Sequence, residues 1–574
     1  YLASLARAGP LPVLVVEDLH WADDGSLELL QHLCQHGADL PLVLVMTARP
    51  SLLDRQPGAA TLGETLRLAP LAAPLGDALA RALLQHLAPI PDALLRLHVD
   101  RAEGNPFYME ELLRRMVDDG VIDTRTARWT LRPQALVDLR LPTTLVGLLQ
   151  ARLDALPLAQ RKAARQASVI GHVFWDDALR TLDAQSTQAL PGLEHADFVR
   201  ASSTSQFEGT AEHQFGHHLL HQVTYDTLLK AERKLGHAAA ARWLVERTRG
   251  RGAEFLALTG EHADRAGEAA LAIDCFEQAG REAQKRHALS AAHVWLRRAL
   301  DLLADADPLR RIGLLLALEA IADARGDRDA QDALLVEVAA VLATQPDDAL
   351  QAQCLLRQAM LLDRKGDAPS SEPLAQQSAA LAMHSQAAQT AAKALGHLAW
   401  VQCVAEAYPA ARALCDQSLA WAARIEGDDQ RDETEAQLQT LSAMLSILTN
   451  RLGEARATLL QVLTRGERLG SPRLQIGAHD NLAEIALALG HWDHVLASVD
   501  CSVALARSSG SLANLPGPQM RAAIAWDQLG DPLQALQWAE QALVSTRQGG
   551  DGRREAKLLH DIGDYHRSAG DLAT

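Results

Sequence analysis

Glu17 and Asp18 close a short apolar run, Val13-Leu14-Val15-Val16, and lead into Leu19-His20-Trp21-Ala22-Asp23. Two carboxylates at the end of a buried strand can serve phosphate-transfer chemistry. The first reaches a magnesium ion, usually through a water, and the second lies nearer the γ-phosphate, where it can polarise an attacking water. Alone, the pair is also what a strand ending in two solvated acids looks like. A second apolar run, Leu42 to Thr47, ends in Met46-Thr47-Ala48-Arg49. There Thr47 can sense a phosphate and Arg49 can offer it a bidentate cation. A third stretch, Glu103-Gly104-Asn105-Pro106-Phe107, is a turn that opens a helix. Proline at the first helical position is ordinary helix grammar; the functional reading makes Asn105 and Pro106 nucleotide contacts, with Pro106 against the adenine face.

The elements that must carry these residues follow from periodicity. Leu11 to Val16, after Gly9-Pro10, reads as a buried parallel strand, Ser26 to His36 as an amphipathic helix, and Leu42 to Thr47 as a second buried strand. Strand, helix, strand at this spacing is one right-handed crossover, and it sets Glu17, Asp18, Thr47 and Arg49 at one sheet edge, where open α/β sheets bind ligands. From about Leu75 to Gly120 the pattern is helical. Pro142 to Gly171 and Glu212 to Arg247 are predicted helical as well, flanking a polar stretch around Ser202 to Thr210.

Beyond about Glu254 the pattern is helical throughout, punctuated at Gly326, Gly366, Gly453, Gly490, Gly530 and Gly570, with gaps of 40, 87, 37, 40 and 40. The long gap holds two units, with Glu406-Ala407 at the missing turn. A period near forty in helical sequence indicates a solenoid of stacked hairpins, each expected to touch mainly its neighbours. Gly530, Ala535 and Ala542, like Gly267, Ala272 and Ala279, sit five and then seven apart. Small side chains at such places let helices approach closely.

Other features narrow the function class. The 574 residues carry a formal charge of −17, which argues against a broad phosphate-gripping surface, and no direct nucleic-acid contact is expected. No apolar run approaches the roughly 18 residues of a membrane helix. Six scattered cysteines without a CxxC pair fit reduced thiols in a cytoplasm. His213, His217 and His221, four apart, would share one face of a helix, a metal-ligand spacing; without an HExxH glutamate they are read as structural. The chain starts at Tyr1 and its last repeat breaks off at Thr574, so a fragment at both ends is expected.

The string Glu17 to Asp23, the Thr47-Ala48-Arg49 strand end and the Gly104-Asn105-Pro106-Phe107 turn resemble the STAND class of signalling ATPases, an AAA-related P-loop group. Arg140-Leu-Pro142 to Asp154, Gln166 to Asp176 and Phe215-Gly-His217 to Leu229 resemble more narrowly the ATPase and tetratricopeptide portion of bacterial multidomain adenylate/guanylate cyclases. The resemblance implies a mixed fold: the C-terminal part of a P-loop α/β ATPase domain with Walker B and sensor strands (1–74), a helical lid (75–140), a winged-helix-like domain (141–250) and an all-α tetratricopeptide-like solenoid (251–574). It assigns Glu17 to magnesium, Asp18 to catalysis, Arg49 to the γ-phosphate and Pro106 to adenine, with ATP and Mg2+ as cofactors.

Many relatives carry Asp where Glu17 stands, and no GxxxxGK[ST] occurs in the chain. A Walker A loop and any cyclase domain are expected upstream, with ATP hydrolysis a property of the longer protein. The resemblance thus implies a cytoplasmic ATP-dependent signal regulator whose repeats meet a protein partner and whose output is control of a fused nucleotide cyclase domain. A transcriptional regulator with its DNA-binding domain elsewhere and a non-hydrolysing scaffold stay open beside it, as does homo-oligomerisation.

Overall fold

β-branched side chains suit an extended backbone, and the two valine-rich runs are strands. The computed structural model describes residues 12–22, 24–36, 41–55, 59–60, 62–132, 134–135, 142, 144–248, 252–303, 307–549 and 551–568. In it β1 (Val13–Val16) and β2 (Val43–Met46) pair in parallel, Val16 beside Met46, and the helix Asp24–His36 links them. The chain divides into two compact units, Tyr1–Cys275 and Phe276–Thr574.

The unbroken apolar runs predict strands buried on both faces, but only one face of each is covered. Val16 and Met46 pack on a core of Leu19, Leu27, Leu30 and Leu52. Val13 and Val15, 58% and 56% exposed, look the other way with Val43 and Val45. Strand side chains alternate, so a sheet covered by helix on one side leaves every second residue in the open.

Three helices follow, Ala73–Leu83, Asp92–Ala102 and Pro106–Asp118, and then a short hairpin of β3 (Ile122–Asp123) and β4 (Thr130–Leu131). Leu84, Leu87, Leu94, Met116, Val121 and Ile122 form their common core. The stretch from Pro142 to Gly171 is two helices, Leu145–Ala155 and Leu158–Ile170, broken where Pro157 lies in extended conformation. A buried ion pair ties the first of these to the helix Pro106–Asp118: Arg152 Nη1 donates to both Glu111 carboxylate oxygens at 3.0 and 2.9 Å.

The segment from Glu212 is not helical throughout. β7 (Glu212–Phe215) is the centre strand of an antiparallel sheet, flanked by β5 (Val173–Trp175) and β6 (Val199–Ala201). Helix begins only at His218, with His218–Asp226 and Lys230–Arg247. His213 therefore shares no helical face with His217 and His221. Two-residue alternation wins because His213 and Phe215 both turn into an aromatic core with Phe174, while Trp175 stacks on Trp243 at 5.4 Å nearby.

The second unit is built of helices, most of them 17 residues long. Two such helices and their turns make the forty-residue period. The turns recur at Gly326, Gly366, Glu406, Asn450, Gly490 and Gly530, all in the left-handed region at φ 57 to 86°. Glu406 stands in the turn expected without a glycine. Gly453, by contrast, lies inside the helix Leu452–Arg468, and Asn450, a residue type that tolerates positive φ, makes that turn. Gly570 lies outside the described residues. Ala535 and Ala542 are fully buried. A Cβ on Gly396 would come within 2.6 Å of Leu438, so the neighbouring helices depend on the missing side chain.

Hairpins do not touch only their neighbours. Arg328 Nε donates to the carbonyl oxygen of Gly549 at 3.0 Å, and a Cβ on Gly326 would lie 3.2 Å from the Gly549 Cα. Superhelical winding thus brings the helix starting at Arg328 against the end of Pro532–Gly549, beside a half-open cavity of about 660 Å³ within this unit.

Candidate functional site

Asp18 leaves β1 in left-handed conformation, φ 54° and ψ 40°, and starts a short turn over Leu19–Trp21. Asp tolerates that region better than most residues, so the geometry is affordable there at modest strain. Thr47 holds the turn in place. Its backbone N–H donates to Val16 O at 2.9 Å, its carbonyl accepts from Leu19 N at 2.8 Å, and its Oγ1 accepts from the Asp18 N–H at 3.1 Å. A hydroxyl that accepts one bond still has its own proton to donate.

His20, buried under the turn, accepts at Nδ1 from the Arg49 N–H at 3.4 Å and lies 3.9 Å from Asp18 Oδ1. Glu17, Asp18, Thr47 and Arg49 are all exposed along this edge. Exposed carboxylates offer the hard oxygen donors that suit magnesium, and Glu17 is the residue that would hold it.

Histidines from the far end of the unit approach the same edge. Burial lowers the pKa of His218; the Arg49 charge lowers it further, and Asp18 opposes. Burial likewise lowers His172, His218 adds to the effect, and Asp18 again opposes. His172 and His218 have ring centroids 5.6 Å apart. The preceding residue, His217, lies 4.1 Å from the Phe107 ring. The folded chain therefore joins the strand ends, the histidines and the helix that begins at Pro106.

The Gly104-Asn105-Pro106 turn is also explained by local structure. Gly104 has φ 76°, and a Cβ there would sit 2.4 Å from Leu71 O. Asn105 caps the helix, its Oδ1 accepting from the Tyr108 N–H at 3.2 Å, and Pro106 is the first helical residue. Both remain exposed. Among the described residues no three His, Cys, Asp or Glu side chains converge as a metal-binding group.

His20, His172 and His218 are site residues that motif spacing did not single out. His218 lies inside the Phe215 to Leu229 string, but no spacing in the sequence relates it to strand ends some 170 residues earlier.

No family model matches the chain. An uncharacterised protein of Rhizobium meliloti (strain 1021) is 29% identical over 332 residues, 55% of this chain. The match spans 30% of that relative's length. Among solved structures, a signal transduction ATPase with numerous domains from Pyrococcus horikoshii, a STAND protein with a tetratricopeptide repeat sensor, superposes at a TM-score of 0.50. It covers 97% of this chain and 82% of that one, at 11% identity. The chain is similar in fold to that structure, helical repeats included. At so low an identity the likeness concerns the fold alone. Among the described residues no helix is long and apolar enough to cross a membrane.

Proposed function

We propose that this chain is the switch and sensor part of an ATP-dependent signalling regulator. In this reading residues 1–74 are the C-terminal part of a P-loop ATPase domain, 75–140 its helical lid, 141–250 a winged-helix-like arm and 251–574 a tetratricopeptide-like array that meets a partner. The observation that supports it best is the meeting of Asp18, Thr47 and Arg49 at one strand edge, with His218 of the arm within electrostatic reach. A γ-phosphate at that edge would meet Arg49 and the Thr47 hydroxyl, with Glu17 toward magnesium and Asp18 toward the attacking water. Nucleotide that favours one packing of His218 and its helix would bias a two-state switch. The output, by resemblance, is control of a nucleotide cyclase in the same longer protein.

Arg49 separates this reading from a non-hydrolysing scaffold. Its contact is to a phosphate that ADP lacks, and a charge-assisted bond of this kind contributes about 1.5–3 kcal/mol. In a protein where the chain follows a phosphate-binding loop, Arg49→Ala should weaken ATP about ten- to a hundredfold and leave ADP nearly unchanged. Calorimetric titration of both nucleotides decides it; equal effects on the two would overturn the γ-phosphate role.

A further inference from the structure

The half-open cavity of the repeat unit, about 660 Å³, falls within the roughly 300–1,000 Å³ of small-ligand sites. Among the described residues its wall holds the cations Arg328, Arg364, Arg521, Arg554 and Lys557. Two of them are spent on the protein itself. Arg328 donates to Gly549, Asp323 and Gln331, and Arg521 donates to Glu484 and Asp480.

The other three differ. Arg364 Nε lies 3.3 Å from Asp323 Oδ1 and Arg554 Nε lies 3.6 Å from Asp551 Oδ2. Those charge contacts leave both guanidinium Nη groups without a hydrogen bond to any described residue, and the exposed Lys557 forms no ion pair among them. Arg364 ends the helix Asp348–Arg364, whereas Arg554 and Lys557, three apart and so on one face, stand on Gly552–Ser568. The winding that sets Arg328 against Gly549 brings these two helices to one cavity.

Much of the remaining wall is apolar. Met360, one turn before Arg364, lines it with Trp400, Met520 and Ile524, and the Trp400 indole is fixed by donating to Asp363 at 3.0 Å. Thr546 is in the wall too, with a buried hydroxyl that has no partner among the described residues; a polar guest is one way to satisfy such a group. The wall carboxylates Asp363, Glu484 and Asp551 already accept from Trp400, Arg521 and the Arg554 backbone N–H. Their charge favours a guest with one anionic head over a guest with several.

The geometry points to a small amphipathic acid as the guest, its carboxylate on Arg364, Arg554 and Lys557 and its apolar body against Met360, Trp400 and Met520. Charge-assisted hydrogen bonds hold the head, and removal of apolar surface from water holds the body. The role of this acid as the input to the switch rests on the proposed function; its binding does not.

The test is calorimetric titration of decanoate, indole-3-acetate and the tripeptide acetyl-Ala-Ala-Leu, its C-terminal carboxylate free, into the full chain at pH 7. At least one should bind with Kd below about 1 mM. Acetate, which is the head alone, and the amide of whichever acid binds should give no measurable heat at the same concentrations. Lys557→Gln and Arg554→Gln should each weaken binding about tenfold or more. Lys557 is exposed, so its substitution should leave the fold intact, which circular dichroism checks. Binding of decanoate or indole-3-acetate assigns a free small acid, and binding of the tripeptide alone assigns the end of a peptide chain. The proposal is overturned if none of the three binds, if acetate or the amide binds as tightly as the parent acid, or if either variant binds as well as the unaltered chain. No nucleotide enters these titrations, so their failure leaves the Arg49 test standing, and failure of that test leaves the cavity standing.

Discussion

Arg328 and Gly549 are joined across 221 residues, the arginine Nε donating to the glycine carbonyl oxygen at 3.0 Å. The same guanidinium donates from Nη1 to Asp323 at 2.7 Å and to Gln331 at 2.8 Å. Burial alone would raise the pKa of Asp323, but Arg364, Arg328 and Arg473 outweigh it and hold the carboxyl at about 2. One buried cation thus closes the superhelix and neutralises a buried acid.

Removing it should be costly to the whole repeat unit. Breaking one partner out of a buried pair costs about 3–5 kcal/mol, and with Arg364 still facing Asp323 the lower end, about 3 kcal/mol, is expected for Arg328→Met. Urea unfolding followed by circular dichroism measures it. Deletion of residues 490–529 removes one period, and the shortened array should keep its hairpins but lose the contact between Arg328 and Gly549. A deletion variant as stable per hairpin as the unaltered chain would show that the closure contributes little.

Asp18 occupies the left-handed region at φ 54°, which Asn tolerates and β-branched residues do not. Asp18→Asn should therefore keep the strand ends and nucleotide binding, while slowing ATP hydrolysis about 10²-fold or more where a phosphate-binding loop precedes the chain. Unchanged turnover in that variant would make Asp18 a solvated strand end. Asp18→Val should instead disturb the backbone and weaken nucleotide binding as well.

The first unit should lose stability in mild acid. Burial pushes His221 and His237 down to about 4 and His262 to about 3, and lowers His172, His217 and His218 too. His237 and His262 share a ring-to-ring bond at 2.9 Å, and the Tyr225 hydroxyl meets His237 Nε2 at 2.9 Å. Below about pH 6.5 the unfolded chain takes up protons that the folded chain refuses, so stability falls as pH drops from 6.5 toward 4. Unfolding of a 1–275 segment, or of the first unit followed by its Trp175 and Trp243 fluorescence, should be at least about 2 kcal/mol easier at pH 5 than at pH 7.5. A midpoint that does not move between these pH values would contradict the burial of the imidazoles.

The sequence by itself determined the repeating helices and the crossover of two parallel strands. Both rest on local periodicity: seventeen-residue helices parted by left-handed turns, and valine runs that pair in register. It also placed Glu17, Asp18, Thr47 and Arg49 at one edge, because that follows from where two adjacent parallel strands end. Tertiary structure alone decided the rest. The Glu212 to Phe215 segment became a strand because an aromatic core took His213 and Phe215 on alternate positions. Asn450 made a turn that Gly453 seemed to mark, since positive φ is open to asparagine as well as glycine. His218 reached the strand edge, and Arg328 reached Gly549, through packing between segments far apart in the chain. Contacts of that range depend on how elements stack in space, and no spacing within a single segment encodes them.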